Sequence, residues 1–244
     1  ITTPSSITAD EARMRLAQVM SALAADAGMP GALVPAASVL SCVVPALERP
    51  WKAALSRTCT GRVLTVGPGL KTGMPVHYDD PAEIGPDRIA DAVAARAVYG
   101  SPCIVIDLGT TTNIEVIDAH GTFVGGVIAP GLALGARSLS AAAARLPQVE
   151  PSAPTHVIGR NTREAMRSGV VLGEVARIDG MLDMVLAEMR ATKAAGAGDV
   201  PIVITGDDAE ALAALVGHSL TVDDALTLRG LAELYRINQK PRRV

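Results

Sequence analysis

Apolar positions recur along the chain with two periods, and the period changes mark the elements. A helix is predicted over 9–27, with Thr8 or Asp10 as its cap and Gly28 closing it. The β-branched runs ASVLSCVV (37–44) and RVLTV (62–66) read as strands, around a partly helical segment at 45–57 that Pro50 is expected to interrupt. A long Gly, Pro and Asp-rich loop fills 67–87. The helix 87–100 follows it, with Pro86 near its first turn and Gly100 at its end. CIVID (103–107), NIEVID (113–118) and FVGGVIAP (123–130) then predict a three-strand meander whose first turn is rich in Gly and Thr. An Ala-rich helix covers 132–145. The longest helix, 162–193, carries Met166, Val170, Val171, Val175, Ile178, Met181, Leu182 and Val185 at helical spacing. A strand (201–206), a helix (207–217), a short strand (219–223) and a closing helix (225–238) complete the order, and the tail 239–244 is expected to fray.

From 103 onward the order is βββ-α-α-β-α-β-α. Before it the order is α-β-α-β-loop-α, the same plan without its opening meander. The expected fold class is therefore α/β, a duplicated actin-like ATPase and sugar-kinase (ribonuclease H-like) fold. Residues 1–100 would form an N-terminal half lacking its opening strands, and 101–244 a C-terminal half.

Composition narrows the function. Of 244 residues, 49% are hydrophobic, enough for a sizeable core. The net charge of -3 offers no basic excess for nucleic acid, and aromatics at 2% give no stacking platform for bases. The sequence holds no apolar run of 18 residues and no signal peptide at its N-terminus, so no membrane partner is expected. Cys42, Cys59 and Cys103 are odd in number and far apart. Cys42 and Cys103 are expected to be buried thiols in a reducing cytoplasm. The four histidines show no metal-site spacing.

Four segments carry candidate chemistry. In IVIDLGTTT (104–112) a strand ends in Asp107, and Gly109 turns the chain to present Thr110 to Thr112. Such a turn cradles phosphate oxygens and its carboxylate holds a cation, unless Asp107 only accepts turn hydrogen bonds. In the block 67–93, Asp87 and Arg88 open a helix. Asp87 is either a general base beside a hydroxyl or a plain cap, and Arg88 steers an anion or pairs with an acid. Asn161 or Thr162 caps the longest helix, or the Thr162 hydroxyl meets a polar ligand there. IVITGDD (202–208) is an ordinary strand-to-helix turn or lies beside an adenine.

Taken together and in order, VGPGLKTGMPVHYDDPAEIGPDRI, VIDLGTTTNIEVID, GGVIAPGL, LPQVE, GRNTREAMRSG and LTLRGL resemble the type III pantothenate kinases, to which the Bvg accessory factor proteins are related. The likeness runs from about residue 1 to 238, and 67–93 is its most specific part. It implies transfer of the ATP γ-phosphoryl to the primary hydroxyl of pantothenate, giving 4'-phosphopantothenate in coenzyme A synthesis. It further implies Mg-ATP, a monovalent cation (potassium or ammonium) and a homodimer. By position, the resemblance makes Asp87 the proton acceptor, and Tyr78, Gly85, Pro86, Asp87, Arg88 and Thr162 the pantothenate-binding residues. Gly109, Thr110 and Gly206 would bind ATP, and Asp107 the monovalent cation.

The chain departs from that pattern in places. The family opens with a D-x-G-N-T hairpin that this sequence does not show, and the roughly 30 residues concerned are either left out of the sequence or absent from the protein. Asp207 replaces a glycine of T-G-G, Asp91 replaces an asparagine, and Asn113 stands at an apolar or hydroxyl position. A catalytically impaired homologue with a regulatory or ligand-binding role is therefore the alternative expectation. An actin-like filament protein is disfavoured because it has no use for the 67–93 block.

Overall fold

The computed structural model describes residues 4–31 and 33–239; the expected fraying of the tail at 240–244 lies outside them. In order, the elements are α1 (Ala9–Asp26), β1 (Ser38–Leu40), α2 (Pro45–Thr58), β2 (Val63–Thr65), α3 (Pro86–Tyr99), β3 (Cys103–Leu108), β4 (Thr111–Ile117), β5 (Phe123–Pro130), α4 (Leu132–Ala142), α5 (Thr162–Arg167), α6 (Gly173–Ala191), β6 (Ile202–Gly206), α7 (Ala209–Ala213), β7 (Thr221–Val222) and α8 (Leu226–Ile237).

The chain divides into two units. One comprises the residues up to Gly73, Asp80–Ala90 and those from Leu231 onward; the other comprises Met74–Asp79 and Asp91–Gly230. This division differs from a cut at residue 100, because α3 and α8 each change unit along their length.

In the first unit β1 and β2 pair in parallel, Val39 opposite Leu64, and α2 packs on α1 and on both strands. Thr8 and Glu11 form a reciprocal capping box that starts α1, with the Thr8 N–H donating to Glu11 Oε2 at 2.8 Å. Pro50 does not interrupt the second helix as expected. α2 runs through it, held by the buried faces of Leu47 and Ala54, so packing outweighs the bond that the proline removes.

The second unit is built on a five-stranded sheet of order β5-β4-β3-β6-β7. β3, β4 and β5 form the antiparallel meander, and β6 and β7 extend it in parallel. Ile104, Ile106, Ile114 and Ile204 point to one face and pack with Ile178 and Leu182 of α6. The predicted helix 162–193 is broken into α5, a π-turn over Ser168–Leu172, and α6. The Ser168 hydroxyl leaves the helix to donate to the Val157 carbonyl at 2.5 Å; apolar spacing alone does not register the extra residue of a π-turn. Of the thiols, Cys103 and Cys59 are buried, whereas Cys42 is only half-buried and donates to the Val44 carbonyl, contrary to expectation. Burial pushes the Cys103 thiol up to about 12. Among the described residues, no helix is long and apolar enough to cross a membrane.

Candidate active site

The end of β3 is where glycines let backbones meet. Gly109 and Thr110 turn the chain into β4, and the Gly109 N–H donates to the Thr111 carbonyl at 2.9 Å. Gly131, at the cap of α4, donates its N–H to the Thr110 carbonyl at 3.0 Å. A Cβ on Gly131 would lie 2.2 Å from the Gly109 oxygen and 2.8 Å from the Thr110 oxygen, so only glycine lets the N-terminus of α4 reach the turn. No side chain caps α4, and its first amides remain available to an anion. Gly206 (φ +92°) closes the other side. A Cβ there would lie 2.2 Å from the Leu108 oxygen and 2.8 Å from Asp107 Oδ1. The Asp207 N–H completes this junction with a 2.7 Å bond to the Leu108 carbonyl, and the Asp207 residue itself is exposed.

Asp107 therefore sits at a strand end beside a glycine turn and a helix N-terminus. Its cross-strand partners are Asn113 on β4 and Thr205 on β6, both buried. Among the described residues, no three His, Cys, Asp or Glu side chains gather to hold a metal. A cation at Asp107 would be shared with phosphate and other oxygens, a donor set that suits a hard ion.

Behind the turn lies a network that sequence reasoning missed. The buried Thr112 hydroxyl donates to Glu174 Oε1 at 2.6 Å. Glu174 is also paired with Arg177, whose guanidinium donates to the Pro130 carbonyl, next to Gly131. Glu174 thus ties the start of β4 directly, and the end of β5 through Arg177, at the level of the Gly109–Thr110 turn. The available signal was a glutamate among Val170, Val171, Val175 and Ile178 on an apolar helix face.

The 67–93 block is positioned by local bonds. Asp80 Oδ1 accepts from the Ala82 N–H at 2.9 Å and starts a short 3₁₀ turn, Pro81–Glu83, after which Ile84 is buried. Pro86 opens α3, and the Ile89 N–H donates to the Gly85 carbonyl. The half-buried Asp87 carboxylate folds back so that Oδ1 accepts from the Arg88 N–H at 2.9 Å. A Cβ at Gly85 would sit 2.4 Å from that oxygen, so glycine makes the bend possible. The Arg88 side chain is buried rather than exposed to solvent.

In the second unit, the Tyr78 ring packs on Phe123 at a centroid distance of 6.1 Å and lies against Gly125, where a Cβ would come within 3.8 Å. The Tyr78 hydroxyl has no hydrogen-bond partner among the described residues. Thr162 is the exposed first residue of α5, but Asn161 makes the cap, accepting from the Glu164 N–H at 3.0 Å. Gly85, Pro86, Asp87 and Arg88 thus come together in one unit. Asp107, Gly109, Thr110 and Gly206 come together in the other, which also holds Tyr78 and Thr162.

A strand-end carboxylate, a glycine turn and an uncapped helix N-terminus on one α/β sheet are the parts with which the class of phosphate-binding α/β proteins holds its ligands. The type III pantothenate kinase family matches residues 1–184. The type III pantothenate kinase of Koribacter versatilis is 42% identical over 201 residues, 82% of this chain and 71% of its own length. Type III pantothenate kinase 2 of Symbiobacterium thermophilum is 39% identical over 242 residues, 98% of this chain and 87% of its own. The crystal structure of a Baf family protein from Campylobacter jejuni shares the fold, with TM-score 0.53 at 22% identity over 80% of each chain. The chain belongs to the type III pantothenate kinases.

Proposed function

We propose that this chain transfers the γ-phosphoryl group of ATP to the primary hydroxyl of pantothenate, with Asp87 as the residue that orients the hydroxyl and takes its proton. The observation that carries the assignment of roles is the Gly85–Arg88 bend, which holds one Asp87 oxygen on a backbone amide. The other Asp87 oxygen has no partner among the described residues. A primary alcohol is far too weak an acid for a carboxylate to ionise beforehand, so Asp87 accepts the proton late, as the bond to phosphorus forms.

Tyr78, Arg88 and Thr162 bind pantothenate in this reading, along with the backbone at Gly85 and Pro86. Gly109, Thr110, Gly206 and the first amides of α4 bind the triphosphate. Asp107 holds a monovalent cation, potassium or ammonium; this ion and the divalent ion of Mg-ATP, when bound, offset phosphate charge. The family likeness further supports a homodimer and two duplicated halves, and the free cysteines agree with a reducing cytoplasm. No observation favours the non-catalytic alternative.

A coupled ADP-release assay tests the reading. ADP should form only when pantothenate, Mg-ATP and potassium are all present, with phosphopantothenate in equal amount. ADP release that ignores pantothenate would remove the assignment. Light scattering after gel filtration tests the dimer, and a monomeric mass would exclude it.

A further inference from the structure

We propose that Asn113 is a second ligand of the monovalent cation assigned to Asp107, its carboxamide oxygen lying beside the carboxylate across the β3–β4 pair. This rests on the reading of Asp107 given above. Asp107 and Asn113 are directly opposite in register and so share one face of the sheet. The opposite face of the same strands is filled by Ile104, Ile106 and Ile114.

Asn113 is 6% exposed, and its buried Oδ1 has no hydrogen-bond partner among the described residues. Leaving a buried carbonyl oxygen unmatched is costly, and an apolar side chain of similar volume would avoid the cost. The oxygen can only accept a hydrogen bond or bind a cation. Its cross-strand neighbour, a carboxylate, supplies no proton when ionised. A carbonyl dipole beside a carboxylate therefore selects a positive ion.

The test uses the full chain, as wild type, Asn113→Leu and Asn113→Thr. Thermal melts are run in KCl and in N-methylglucamine chloride at equal ionic strength. Wild type should gain Tm with KCl in a saturable way. Asn113→Leu should melt at or above wild type without potassium, because an orphaned polar atom has gone. It should lose the KCl response, with a half-saturating concentration at least ~10-fold higher. Asn113→Thr should restore part of the response through its hydroxyl oxygen. In the ADP-release assay the potassium midpoint should shift by the same factor while the KM for pantothenate holds.

An Asn113→Leu variant that keeps the wild-type KCl response, or that melts well below wild type without potassium, overturns the proposal and marks Asn113 as structural. A wild type without any KCl response overturns it as well, even if pantothenate-dependent turnover upholds the kinase reading. A KCl response that depends on Asn113, in a protein that releases no ADP with pantothenate, supports the cation site and sinks the kinase reading instead.

Discussion

Around Asp87 the backbone is held by its near neighbours: Asp80 to Ala82, Asp87 to Arg88, and Ile89 to Gly85. Around Asp107 it is held by residues far away in sequence. Gly131 reaches Thr110, Asp207 reaches Leu108, and Glu174 reaches Thr112. Short-range bonds fix a side chain's direction at little entropic cost, and here they hold the half-buried Asp87 between the buried Ile84 and Arg88. Long-range contacts through glycine backbones instead fix the half-buried Gly109 and exposed Thr110 to the rim of the packed sheet. The proposed acceptor side, around Asp87, is thus a shaped local motif, and the proposed phosphate side, around Asp107, is an outgrowth of the packed sheet. Mutations at the first should change chemistry with little change in stability, and mutations at the second should change both.

The largest expected effect follows on the acceptor side. Asp87→Asn keeps the size of the side chain and an oxygen for the Arg88 amide, and removes the proposed proton acceptor. Turnover should fall about 10²–10⁴-fold, the contribution usual for a general base. Tm should stay close to wild type because the Asp87 bonds are local. Steady-state ADP release and a thermal melt measure both. A large loss of Tm would erase the distinction between the two regions.

On the phosphate side, Gly131→Ala should cost about 1–3 kcal/mol, because its Cβ must enter backbone that cannot move aside. Gly135→Ala, one turn further along α4, is the matched control: nothing lies within 4 Å of its Cβ. Alanine there should stabilise by about 0.5–1 kcal/mol by lowering the entropy of the unfolded chain. Opposite signs for two identical substitutions four residues apart, read as denaturant midpoints, would show that it is the turn that demands glycine. Two losses of equal size would instead point to the helix.

Much of this was legible in the sequence, and the exceptions have physical causes. The meander, the strand that carries Asp107 and the helix after Pro86 show in period and punctuation: CIVID is a continuous buried apolar run, NIEVID alternates, and Pro86 opens its helix. The network of Thr112, Glu174 and Arg177 did not show, because contacts between residues 62 positions apart leave no mark on local spacing. Pro50 misled because propensity yields to the packing of Leu47 and Ala54. Cys42 misled because a β-branched run promised a longer strand than Ser38–Leu40. The roles proposed for Tyr78 and Thr162 come from the resemblance to the family's motifs, since neither residue's local pattern asks for a ligand.

A smaller effect sharpens the contrast from within β3. The Cys103 thiol, pushed up to about 12 by burial, stays protonated where an unfolded thiol ionises. The folded pKa is raised, so its contribution is fully present below the unfolded value near 9. It is lost as pH rises from there toward 12, by about 1.4 kcal/mol per pH unit. Wild type should therefore lose more stability than Cys103→Val between pH 9 and pH 10.5. At neutral pH a thiol reagent should label the half-buried Cys42 well before Cys103. Equal labelling rates would mean that β3 opens as readily as a surface loop.

The smallest effect returns to the acceptor side. Asp80→Ala removes the side chain that starts the Pro81–Glu83 turn, a capping bond typically worth about 0.5–2 kcal/mol. The lower end of that range applies, because Asp80 is exposed and water takes over the Ala82 amide. If the segment is held by short-range bonds, the loss stays within it. Global Tm should then fall by a few degrees at most, and the KM for pantothenate should rise several-fold, since the turn leads directly into Gly85 and Asp87. The KM for ATP should not change, because among the described residues the Asp80 carboxylate bonds only within its own turn. A rise in the KM for ATP equal to that for pantothenate would mean that the two regions are mechanically one, and the separation drawn between a local motif and a core outgrowth would fail.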